Sequence, residues 1–235
     1  MSLKNRISKV FFLTVISLFS ILSSTFVSAK EVAKESAKDN LNTSLLKSVI
    51  SQYQKSAMVQ FNIEKNVKSQ LLDRTNTYTG KLFLAKKLFR LEFNEPEKNQ
   101  IIFDGKNLWS LQYSDAKQKN PSQVSKSVID KKNKSQILIG IFLDPKEFFK
   151  FFEVLTYQQS GKTDIYKLSS KNVEVLNLQD IEVKILNKKT ITSLSYTDDI
   201  NNLTTFNFSD VLFKNSAKTD LFNFTPVKGQ QVLVL

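Results

Sequence analysis

The 235-residue sequence contains no cysteine and no histidine, and only five glycines and four prolines. Without cysteine there is no disulfide to brace the fold, no thiol nucleophile, and no cysteine to carry a lipid anchor. Without histidine the usual acid–base group at neutral pH and nearly all zinc ligand sets are gone. No glycine-rich phosphate loop occurs either. The adjacent acids Asp198 and Asp199 stand in a polar turn context, where solvated carboxylates are the ordinary reading. A carboxylate pair distant in sequence is the one catalytic arrangement left open. The reading is a non-enzymatic protein with no catalytic residue, no metal and no cofactor.

What is present begins with MSLKNRISKVFFLTVISLFSILSSTFVSA. Lys4, Arg6 and Lys9 come without an acid, then an apolar run extends from Val10 to Val27, and Val27-Ser28-Ala29 supplies small residues at the last and third-last positions. This order predicts a secretory signal over residues 1–29, cleaved after Ala29. An uncleaved membrane anchor is the alternative reading of the same run. Residues 30–40 are small and charged, a flexible lead, and residues 41–235 read as a single domain.

The formal charge is +12, from 34 basic and 22 acidic residues, and about +9 once the three cations of the leader are removed. Such an excess favours anionic partners. The lysines are scattered, with no zinc-finger spacing, RNA-binding signature or basic helix, so nucleic acid is not expected.

Leu41, Leu45, Leu46, Val49, Ile50 and Tyr53 recur at helical spacing and predict an amphipathic helix from Thr43 to Ser56. Val59, Phe61 and Ile63 then alternate with polar residues, so the period changes from helix to strand. Further alternating runs predict strands at Tyr78 to Ala85, Leu88 to Asn94, Asn99 to Phe103, Asn107 to Tyr113 and Gln123 to Asp130. A second series covers Glu153 to Gln159, Asp164 to Ser169, Val173 to Leu178, Ile181 to Leu186, Ile191 to Tyr196, Thr204 to Val211 and Asp220 to Thr225. Many strands with short connections imply a mainly β, α+β fold built on a large, strongly curved antiparallel sheet. Asp104-Gly105 is the clearest hairpin turn.

Between the two series stands SQILIGIFLDPKEFFKFF, Ser135 to Phe152. Asp144 before Pro145 predicts a capped helix start, and the segment reads as two short apolar helices joined at Leu143 to Asp144. They are either an ordinary core pair or a movable lid over the sheet.

The central stretch KKLFRLEFNEPEKNQIIFDGKNLWSLQYSD resembles the LolA family, carriers of outer-membrane lipoproteins. The resemblance rests on Phe89-Arg90, Pro96, Gln100, Asp104-Gly105-Lys106 and Leu108-Trp109. VQFNIEKN after the first helix, FLDPKEFFKFFEV and the closing LFNFTPVKGQQVL extend it over nearly the whole chain beyond the leader, although only the central segment is specific by itself. It implies an incomplete antiparallel β-barrel covered by an N-terminal helix and a short helical lid, with an apolar cavity for acyl chains. It also implies a monomeric periplasmic chaperone that takes acylated lipoproteins from an inner-membrane lipoprotein-releasing ABC transporter and hands them to an outer-membrane lipoprotein receptor.

On that resemblance Phe89 and Leu91 fall at cavity-side positions, and Phe93 shares their strand face. Ile101, Trp109 and Leu111 are the candidates on the next hairpin, with Leu46 and Ile50 from the leading helix. Ile137, Leu138, Ile141 and Phe142 are expected to form the lid. Alternation shows a buried face and does not show whether protein or ligand fills it.

The family's Arg-Pro before this strand is replaced by Lys86-Lys87. In the family that arginine bonds to the lid backbone and holds the empty carrier shut. A lysine lacks the planar fork, so either the closed state is weaker here or the latch falls to Lys86, Lys87, Arg90 or another group. Leu91 stands where the family has Trp. Two alternatives stay open: a related carrier or sensor of another lipid or glycolipid, and a non-transporting envelope protein that uses its basic surface.

Overall fold

The computed structural model describes residues 43–128, 145–171 and 178–235, and Asn42–Leu235 forms one compact unit. The first described element is helix α1, residues 43–55. Its Leu46, Val49, Ile50 and Tyr53 lie three and four residues apart and are all buried, the single stripe that the sequence spacing predicts.

Six strands follow in hairpin succession: β1 Met58–Ser69, β2 Arg74–Ala85, β3 Leu88–Glu95, β4 Asn99–Phe103, β5 Asn107–Gln112 and β6 Gln123–Val128. Helix α2, Pro145–Phe151, leads into a second series: β7 Phe152–Ser160, β8 Thr163–Ser170, β9 Gln179–Leu186, β10 Thr190–Thr197 and β11 Asn202–Lys214. A short C-terminal strand, β12 Leu233–Val234, completes the set. All lie in one 12-stranded sheet of order β12-β6-β5-β4-β3-β2-β1-β11-β10-β9-β8-β7. Each series is a meander, and the two join where the long strands β1 and β11 pair antiparallel along almost their whole length. Every pairing is antiparallel except β12 with β6. The sheet is open and curved and does not close into a barrel, because its edge strands β12 and β7 are not paired with each other.

Curvature gives the sheet two unlike faces. The concave face carries the main core, in which Val59, Phe61 and Ile63 of β1 meet Phe206 and Phe208 of β11, with α1 in the same cluster. Tyr53 joins helix to sheet: its ring stacks on Phe61 at 5.6 Å, and its hydroxyl accepts the Ile191 N–H at 2.9 Å. Burial pushes that phenol up to about 12, and the backbone donor offsets only part of the rise.

Close approach fixes one glycine. Gly80 sits beside the β2–β3 bulge, and a Cβ there would stand 1.8 Å from the Glu92 carbonyl oxygen.

Some predicted elements differ. Asp220 to Thr225 is not a strand: Thr219–Phe222 forms a 3-10 turn. The strands beneath it, β3 to β5, already have both edges paired, so the segment cannot join the sheet and lies across its outer face. The alternating patterns of the two central strands were also too short. β1 runs on to Ser69 and β11 spans Asn202–Lys214, since their polar ends are held by pairing rather than by burial. Leu178 is in no strand, and the rest of the predicted 173–178 strand lies outside the described residues.

Candidate functional site

Register assigns each side chain to a face. Leu84 pairs with Phe89, Phe89 with Phe103, and Phe103 with Leu108, while Leu82 pairs with Leu91 and Leu91 with Ile101. These residues therefore share the concave face. Phe89, Leu91, Phe93, Leu46 and Ile50 are buried in one cluster, and Ile101 is half-buried against it. The structure thus brings together six of the eight expected cavity residues.

It separates the other two. Ile101 pairs with Ser110, whereas Trp109 pairs with Ile102 and Leu111 with Gln100. Trp109 and Leu111 consequently point to the convex face, where they form a second cluster with Ile102 and Val124, joined by Tyr113, Phe224 and Val232. The apolar concave residue of that strand is Leu108, which alternation did not single out. The reason is that β4 and β5 are apolar on both faces, so alternation by itself could not choose between them.

Trp109 is fixed by the hairpin turn before it. Its indole Nε1 donates to Asp104 Oδ2 at 2.9 Å, and its ring meets Phe224 edge-on at 5.3 Å. Asp104 Oδ1 accepts the backbone N–H groups of Lys106 and Asn107, and Gly105 takes the positive φ of 94° that the turn requires. Desolvation would raise the Asp104 carboxyl, but its hydrogen bonds from Asn107, Trp109 and Lys106 outweigh this and hold it down at about 2.

The expected latch residues are also distributed otherwise. Lys86 and Lys87 are exposed in the β2–β3 turn, where neither makes a hydrogen bond or ion pair among the described residues. Arg90 lies on the convex face, opposite in register to Phe89 and Leu91. Its guanidinium reaches the Leu221 carbonyl at 3.0 Å, Gln100 Oε1 at 3.1 Å and the Glu92 carboxylate at 2.5 Å. Arg90 ties down the C-terminal segment from the face opposite Phe89 and Leu91. Ile137, Leu138, Ile141 and Phe142 lie outside the described residues. Of the helical insert, α2 is described, with Phe148 fully buried and in ring contact with Phe149 and Phe152.

An acid and a base stand among the apolar side chains of the concave side. Asp164 of β8, fully buried, accepts the Tyr157 hydroxyl at 2.7 Å, while its Oδ2 has no partner among the described residues. Burial, with this bond and the nearby carboxylate charge, pushes Tyr157 up to about 12. The second is Lys65 of β1, half-buried between aromatic rings. Neither residue stands out in the sequence, because charges in alternating strands normally face water.

The geometry defines a class: an open, one-sided β-sheet whose concave face is apolar and whose ends are not closed, a binding-protein architecture. Residues 54–225 match the family described as "Outer membrane lipoprotein carrier protein LolA". The chain belongs to the LolA family. Among curated relatives, outer-membrane lipoprotein carrier proteins of Coxiella burnetii, such as that of strain CbuK_Q154, are 26% identical over 147 residues. That match covers 62% of this chain and 65% of the relative, so it spans somewhat less than two thirds of the relative's length. Among solved structures, a LolA superfamily protein of Nitrosomonas europaea is similar at TM-score 0.45 and 12% identity, covering 77% of this chain and 96% of that one. The Mycobacterium tuberculosis lipoprotein LppX gives TM-score 0.43 at 9% identity, covering 77% of this chain and 100% of that one.

Proposed function

We propose that the protein is a periplasmic lipoprotein carrier: exported by its N-terminal signal, it shields the acyl chains of lipoproteins on its concave face between an inner-membrane transporter and an outer-membrane receptor. Family membership supports the carrier role. The observation that carries it is the concave face itself, where Phe89, Leu91, Phe93 and Ile101 form one apolar wall in register beneath α1.

Such shielding answers a large cost. A triacylated chain end exposes about 45 methylenes, and at ~0.8 kcal/mol each its bare passage through water would cost on the order of 35 kcal/mol. The face is closed by the protein's own side chains, with Leu46 and Ile50 of α1 fully buried against it. Acyl chains must therefore displace the cover to enter. Part of their burial energy is spent on that opening, which keeps binding weak enough for release.

Protein expressed from the full sequence and recovered from the periplasm should carry acylated lipoprotein, identified by mass spectrometry. Depleting it in its own host should leave outer-membrane lipoproteins in the inner membrane. Recovery of glycolipid alone, with lipoprotein sorting intact, would replace the reading with carriage of another lipid.

A further inference from the structure

Across the concave face, Phe93 of β3, Tyr78 of β2, Phe206 of β11 and Tyr196 of β10 form a band of rings over neighbouring strands. Tyr78 and Phe93 centroids lie 5.8 Å apart, and those of Tyr196 and Phe206 lie 6.5 Å apart. Lys65 occupies the gap in its middle. Register places it between Tyr78 and Phe206, and its Nζ lies 5.6 Å and 5.7 Å from their ring centroids.

Above this band, towards the Met58 end of β1, the wall is hydrocarbon: Val59, Phe61, Leu82 and Leu84. Within it the two tyrosines bring hydroxyls, and Lys65 brings a charge. Polarity along the face thus changes as it does along an amphiphile, from chain to head, with aromatic rings at the junction.

Lys65 is also an unanswered charge. No carboxylate among the described residues lies within ion-pair distance, and ring faces satisfy an ammonium only in part. Burial lowers its pKa below the ordinary lysine value. A cation drawn out of water in this way gains from any anion that enters the face with it. It remains half-exposed, so such a group can reach it.

We propose that the concave face also binds anionic glycerophospholipid, with the acyl chains on the apolar wall and the headgroup phosphate on the Lys65 ammonium. This rests on the proposed use of the concave face for acyl chains, and adds a second ligand class to it.

The test uses protein expressed from the full sequence, stripped of lipid, and titrated with pyrene-labelled phosphatidylglycerol or with diacylglycerol of the same chains. Phosphatidylglycerol should bind roughly ten- to a hundredfold more tightly, the scale of one charge-assisted contact. Lys65→Met should abolish that preference, whereas Lys65→Arg should retain it. Lys68→Met, on the same strand but the opposite face, should retain it too. Equal binding of the two lipids by the unaltered protein, or a preference that survives in Lys65→Met, overturns the inference while leaving acyl-chain carriage intact. Displacement of phosphatidylglycerol by millimolar inorganic phosphate also overturns it, by showing a site for the free anion. If neither lipid binds, the acyl-chain reading of the face fails, and this inference fails with it.

Discussion

The two faces of β4 and β5 are both apolar, yet they belong to walls that do different things. On the concave side, Phe89, Leu91 and Ile101 belong to a wall that extends over most of the sheet and is covered by an element joined through a short connection, α1. On the convex side, Ile102, Trp109 and Leu111 form a small patch closed by the last stretch of the chain, through Phe224 and Val232. The convex cover is bolted: Arg90 holds the Leu221 carbonyl, Gln230 donates to the Pro121 carbonyl at 2.7 Å, and Leu235 N–H reaches Lys126 at 2.9 Å. Helix α1 packs on the sheet through its apolar stripe, with a side-chain bond between Tyr53 and Ile191. A cover held mainly by apolar contact can be exchanged for another apolar body. One held by directional polar bonds cannot be exchanged without leaving donors and acceptors unpaired.

This contrast can be broken or sharpened by experiment. The largest effect is expected from Gly80→Ala, which drives a methyl into the Glu92 carbonyl and forces β2 and β3 apart. We expect a loss of about 3–5 kcal/mol in urea unfolding; a loss below 1 kcal/mol would show that the bulge can yield.

Phe89→Ala and Trp109→Ala form a matched pair across the faces. Each should cost about 3 kcal/mol or more in stability, because each removes a buried ring. Only Phe89→Ala should also weaken capture of acylated lipoprotein, measured on variants at a temperature where both are folded. Equal loss of capture would mean that the faces are coupled.

Arg90→Met should cost about 1–2 kcal/mol, the scale of a hydrogen bond to a charged group. It should also speed amide hydrogen exchange in residues 219–235, with α1 unaffected.

The smallest effect concerns pH. The Asp104 carboxyl is held at about 2, below the ordinary aspartate value of 3.8. A depressed acid contributes stability fully present above the unfolded value and lost as pH falls through the folded one. The protein should therefore weaken between roughly pH 5 and pH 2. Asp104→Asn should flatten that part of the profile; an unchanged slope would assign it to other carboxylates.

How far the sequence could be read depended on how local the cause was. Leu46, Val49, Ile50 and Tyr53 lie on one helical stripe, and the structure buries that stripe. Asn99–Phe103 has the predicted strand bounds, because turns at both ends delimit it. Asp104-Gly105 forms the expected turn, since its bonds close within three residues. The candidate site was legible where one face was clearly apolar, at Phe89, Leu91 and Phe93. It failed at Trp109 and Leu111, because a strand buried on both sides carries no signal of which side is which. Lys65 was not singled out: its meaning comes from Phe206, 141 positions further on in the numbering.

The sequence alone determined the period of each element, the absence of thiol and imidazole chemistry, and a specific central segment that marks the family. Those properties depend on residue type and spacing within one turn or hairpin. Tertiary structure decided the strand order that joins the two meanders at β1 and β11, the face to which each apolar residue turns, and the pairing of Arg90 with the C-terminal segment. It also set Lys65 among aromatic rings from two other strands. These are contacts between residues far apart along the chain, and no local pattern records them, because a strand's partners are chosen by what the whole sheet can bury.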